Sequence, residues 1–149
     1  MDKQVILALG LGTLIGTTLM TIFSYSIGRL RNMQFTEPVL LNRMLFKFGV
    51  LEENQLKKNM TGWIIHYLIG LLFLLIYNFI WAETRFDPTF QTAFFLGCIS
   101  GVVGIFGWSI LFRIKSVPAN IRVGEYYAQL FLAHIIFALT ATGTFTLLT

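Results

Sequence analysis

Residues 61–82 read TGWIIHYLIGLLFLLIYNFIWA, 22 positions without one charged side chain. As a helix rising 1.5 Å per residue, the stretch covers about 33 Å, enough for a hydrocarbon layer of roughly 30 Å. Trp63 and Trp81 stand near its two edges, where amphipathic rings settle at a membrane boundary. This segment is therefore read as a transmembrane helix.

Three further apolar runs of comparable length follow from the same reading, so that spans are expected at about 5–25, 61–82, 90–112 and 126–148. The fold class is all-α: a polytopic membrane protein, a four-transmembrane-helix bundle, with residues 1–149 as a single transmembrane helical domain. Composition agrees. Of 149 residues, 56% are hydrophobic and 12% charged, against about 25% charged in a soluble domain. Lys3 ahead of the first run invites a signal-peptide reading. That run is long, is followed by basic residues and lacks a small-residue cleavage pattern, so it is taken as a retained span. The single cysteine, Cys98, allows neither an internal disulfide nor a cysteine metal cluster.

Four crossings put connections 1–2 and 3–4 on one side. These carry Arg29, Arg31, Arg43, Lys47, Lys57, Lys58, Arg113, Lys115 and Arg122, while the opposite side carries only Lys3 and Arg85. Nine basic residues against two orient the bundle, with both termini outside the cytoplasm. The formal charge of +4 then suits anionic lipid headgroups. Nucleic acid is not expected, because the basic residues flank apolar runs and no recognition motif accompanies them.

The longest connection contains TEPVLLNRMLFKFG, residues 36–49. Thr36 and Pro38 suit a helix start, and Leu40, Leu41, Met44, Leu45 and Phe48 supply a largely apolar surface. A short interfacial helix between helices 1 and 2 is expected, with Arg43 and Lys47 toward headgroups; a lid over the bundle is the rival reading. Beyond Gly49, Glu53 and Lys57 have the spacing of a helical ion pair. Asp87 and Pro88 favour a tight turn, which makes spans two and three antiparallel neighbours. Pro118 marks a compact loop before span four.

Small residues mark helix-packing faces: Gly12 and Gly16 in span one, Gly62 and Gly70 in span two, and Gly97, Gly101 and Gly104 in span three. Two histidines, His66 and His134, project from faces expected to enter the bundle. Three readings of them stand side by side: hydrogen-bonded structural groups, ligands of a haem or transition metal, or parts of a proton, ion or small-solute pathway. Thr17, Tyr67, Tyr77 and Tyr127 are candidates for a polar network around them. No Asp or Glu lies well inside a span; Glu83 and Glu125 stand at edges. Without an H-E-x-x-H, P-loop or dinucleotide motif, a non-enzymatic membrane or assembly component is favoured. A conduit and a paired-histidine haem or metal protein are the alternatives. Membrane lipids are the expected partners, together with a second copy of the chain in a homo-oligomer or another membrane protein.

The pieces GLGTLIGTTLMT (10–21), GWIIHYLIG (62–70), GCISGVVGIFGW (97–108) and AHIIFAL (133–139) resemble, in this order, a family of small, functionally uncharacterised bacterial four-span membrane proteins. The likeness covers nearly the whole chain. It implies a bacterial inner-membrane location and singles out Thr17, Met20, Gly62, Trp63, His66, Gly70 and His134, without implying a reaction.

Overall fold

The computed structural model describes residues 2–53, 59–118 and 121–149. Among them the chain forms five helices: α1 (Lys3–Arg31), α2 (Glu37–Lys47), α3 (Thr61–Glu83), α4 (Phe90–Lys115) and α5 (Val123–Leu148). All but α2 are long and apolar enough to cross a membrane. The chain is a multi-pass membrane protein. The pairing expected of Glu53 with Lys57 lies outside the described residues.

The expected span at 5–25 lies within α1, which runs on through Arg29 and Arg31. Those two cations favour the negative end of the helix dipole, so polarity at that end does not stop the helix. It stops at Asn32, whose φ of 52° is left-handed, with the Met33 amide bonded back to Gly28 O at 2.8 Å. Asn tolerates that conformation better than most residues.

Helix α5 lies in the middle, packed along its length by α1 on one flank and α4 on the other. Lipid supplies no hydrophobic drive for helices to associate, so the contacts depend on close approach of backbones. Glycines provide it. A methyl group at Gly16 would sit 3.0 Å from Ala141 Cβ, and one at Gly12 would sit 3.0 Å from Ala141 O. On the other flank, a methyl at Gly97 would lie 2.8 Å from Ile135 Cα, and one at Gly101 would lie 2.8 Å from a Phe131 ring carbon. Gly12, Gly16, Gly97 and Gly101 thus all have their contacts within the chain.

With both flanks of α5 occupied, α3 rests on α1 and α2 and meets α4 hardly at all. The short turn does make α3 and α4 antiparallel, but it does not make them packed neighbours. Tyr77 bridges them, its hydroxyl 2.7 Å from Ser100 Oγ.

Helix α2 closes the basic end. It starts where Thr36 and Pro38 suggest and buries Pro38, Leu40 and Met44 against the bundle. Asn42 caps the start of α3, accepting from the Gly62 amide at 2.8 Å and donating to Asn59 O at 2.8 Å. Lys47, expected among headgroups, instead caps the end of α4, donating to Lys115 O at 2.8 Å and Ser116 O at 2.7 Å. A lysine reaching the last carbonyls of a helix satisfies acceptors that have no partner inside it. The short helix expected between helices 1 and 2 is present, and it clamps the bundle at this end.

The glycine contacts give a direct check. Gly97→Ala is expected to lower stability by about 1–3 kcal/mol, because its methyl meets backbone rather than a mobile side chain. Gly143→Ala, with no atom within 4 Å of the added methyl, is expected to be neutral or slightly stabilising. Thermal unfolding in detergent reads both; equal midpoints for the two variants would contradict the α4–α5 packing.

Candidate functional site

Because α3 and α4 diverge while α2 bridges their ends, a cavity of about 430 Å³ remains between them. Its floor includes Leu130 and Phe137 of α5, and its walls include Ile69 and Phe73 of α3 and Trp108 and Leu111 of α4. Three groups able to carry a proton reach it from three elements: Glu37 from α2, His66 from α3 and His134 from α5. They are 2%, 6% and 7% exposed. A volume of this size, with apolar walls and few polar groups, is typical of a small-molecule site.

Gly70 and Gly104 allow the site to form. A methyl at Gly104 would stand 2.9 Å from His134 Nε2, so only glycine admits the imidazole there. A methyl at Gly70 would run into Thr17 Oγ1. The Phe73 ring meets His134 edge-on, with centroids 5.6 Å apart.

The imidazole protons can be assigned from their neighbours. His134 Nδ1 is 2.8 Å from Leu130 O; a carbonyl only accepts, so Nδ1 carries the hydrogen. His66 Nε2 is 3.0 Å from Thr21 Oγ1, and that hydroxyl already gives its one hydrogen to Thr17 O at 2.7 Å. His66 Nε2 is therefore the donor. In each neutral ring the other nitrogen keeps its lone pair, and neither makes a hydrogen bond among the described residues.

Glu37 belongs to a second polar group. Its Oε1 is 2.9 Å from Ser24 Oγ, which also lies 3.0 Å from Met20 O. The Gln129 amide donates to Ser24 Oγ at 2.5 Å and reaches Glu37 Oε1 at 3.4 Å. Ser24 has one hydrogen for two acceptors. A protonated Glu37 resolves the conflict by donating to Ser24, which is then free to donate to Met20 O. Burial acts in the same direction: desolvation pushes the Glu37 carboxyl from 4.5 up to about 7, against its own amide, Ser24 and Gln129, which favour the anion. Glu37 Oε2 and Gln129 Oε1 are buried without a partner among the described residues.

The candidates for a polar network do not join into one. Tyr67 OH meets Thr18 Oγ1 at 2.8 Å on the exposed side of α1. Tyr77 holds Ser100, and Tyr127 stacks on Phe112 with centroids 6.5 Å apart. Thr17 Oγ1 is buried without a partner among the described residues. His66 and His134 do share the cavity, but among the described residues no set of three His, Cys, Asp or Glu side chains is grouped closely enough to hold a metal.

Glu37 and Gln129 are the functional candidates that sequence reading passes over. Glu37 sits in the first turn of a short amphipathic helix, where an acid is ordinary. The available signal was Gln129, an amide within an apolar span that needs a partner.

A pH titration tests Glu37. A carboxyl whose pKa is raised by folding contributes stability that is complete below about pH 4.5 and is lost as pH rises through about 7. The melting midpoint in detergent should fall across that window, and Glu37→Gln should flatten the fall. Comparing the two proteins separates Glu37 from His66 and His134; matching pH profiles would remove it from the titration.

Comparison with family models, curated proteins and solved structures finds no match to this chain.

Proposed function

We propose that the chain is a non-enzymatic membrane component that holds a small, largely apolar molecule in the cavity between α3 and α4. The observation that carries this reading is the convergence of Glu37, His66 and His134 on a single cavity of about 430 Å³. Structural histidines alone need only satisfied nitrogens. These two use one nitrogen each for the fold and present the other unpaired, which suits a binding site.

The bias of nine basic residues against two supports a setting in which the α2 end faces the cytoplasm and both termini lie outside. A bacterial inner membrane follows from the family resemblance and belongs to the same proposal.

A conduit requires a polar tract from one face to the other. Beyond Phe73 and Phe137 the bundle interior is dominated by an apolar cluster including Leu9, Leu74, Ala138, Ala141 and Phe145. That layer favours binding over passage. A haem or metal ion would draw on the same two imidazole lone pairs, so the reading must be separated from that one by experiment.

Gly107 lines the cavity and has open space where a side chain would go. Purified from its native source into lipid nanodiscs, the protein is expected to carry a small molecule detectable by native mass spectrometry, with at least about five-fold lower occupancy in Gly107→Leu. No bound mass in either protein, or equal occupancy in both, would overturn the proposal. An ultraviolet-visible spectrum of the same sample is expected to lack a Soret band; a stoichiometric band lost in His66→Ala or His134→Ala would replace this reading with haem binding.

A further inference from the structure

The unpaired atoms of the cavity's three titratable side chains are all of one kind. His66 Nδ1 and His134 Nε2 are lone pairs, because Thr21 and Leu130 fix the hydrogen on the other nitrogen of each ring. Glu37 Oε2 accepts whether the carboxylate is ionised or carries its proton on Oε1, and it has no partner among the described residues. Three acceptors thus stand without a donor, from three helices, on one cavity. A buried acceptor without a donor, as Glu37 Oε2 is among the described residues, is costly, and a ligand that supplies a hydrogen there removes that cost.

The mouth is equally one-sided. Ile69 of α3 and Val103 and Ile110 of α4 line the cavity and are 40%, 51% and 42% exposed. They lie on spans, so the surface they expose at that level faces hydrocarbon. The opening is lateral, between two helices that scarcely touch. The end toward the basic loops is covered by α2 through Glu37 and Leu41.

We infer that the ligand is a membrane-dissolved amphiphile with a hydrogen-bond-donating head, a hydroxyl or an ammonium, entering sideways between α3 and α4. This rests on the reading of the cavity as a binding site. The head lies at the end of the cavity that Glu37, His66 and His134 line; the tail lies against Phe73, Trp108 and Leu111 and leaves through the mouth. A phospholipid acyl chain of the surrounding bilayer fits the walls but leaves the acceptors unmet. Two imidazole nitrogens with no third ligand grouped beside them among the described residues make a poor cation site. The same arrangement suits a donor-headed molecule.

The test uses the full-length protein in nanodiscs of phosphatidylcholine, whose headgroup offers no hydrogen-bond donor, with chelator present. An undecanol carrying a chain diazirine is photo-crosslinked and its adducts are mapped by mass spectrometry. Unlabelled undecanol, undecylamine and undecyl methyl ether compete. Saturable labelling is expected on α3 and α4 around the cavity, blocked by Gly107→Leu. The ether should compete about ten-fold more weakly than the better of the alcohol and amine, and the ranking of those two identifies the head. His134→Phe should abolish the preference while leaving ether competition unchanged; His66→Phe serves if that variant fails to fold.

Equal competition by ether, alcohol and amine, with Gly107→Leu still blocking, would overturn the donor-head inference and leave the cavity as a binding site. Labelling that never saturates, or that ignores Gly107→Leu, would overturn both.

Discussion

Everything in this bundle follows from how closely two helices approach a third. In a bilayer the association of α1 and α4 with α5 rests on packing and on polar contacts. Gly12 and Gly16 bring α1 against Ala141 and Phe137, while Gly97 and Gly101 bring α4 against Ile135 and Phe131. Both flanks of α5 are taken. Helix α3 is left to lean on α1, the α3–α4 seam stays open, and the cavity is the space that results.

The spans were legible because lipid imposes a length and a composition that a single sequence displays. The packing glycines were legible for a related reason: spacings of three and four place them on one face. Their partners were not, since nothing in the α1 or α4 stripe says that both dock on the same helix. The short connection at Asp87 and Pro88 spoke for adjacency of α3 and α4, and adjacency in sequence lost to the stronger glycine contacts with α5. The helix that carries the first span was not bounded by hydropathy, since α1 continues past its apolar run until Asn32 turns it.

The site was half visible. His66 and His134 stand out as the only imidazoles in the chain, and both reach the cavity. Glu37 was hidden by its address, outside every span. A carboxyl near the basic end looks solvated until α2 folds back and covers it, and that folding depends on contacts far along the chain: Asn42 with Gly62, Lys47 with the end of α4, Phe35 against Tyr126. Tyr67 and Tyr77, chosen for their hydroxyls, found separate uses, because one hydrogen bond to a nearby helix satisfies each without any network, while Tyr127 packs through its ring.

The clamp also imposes an order on biogenesis. Glu37 is synthesised early, yet its partner Gln129 lies 92 positions later, in the last span. At ribosomal speeds of about 5–20 residues per second, the carboxyl waits roughly 5–20 seconds for that partner to be made. Through that interval it belongs in water, on the loop side of a half-built protein, and the first crossing must insert without it. The contact of Glu37 with Gln129 therefore cannot form before α5 has been made. A chain interrupted before α5 has the apolar spans of a membrane protein and none of the chamber.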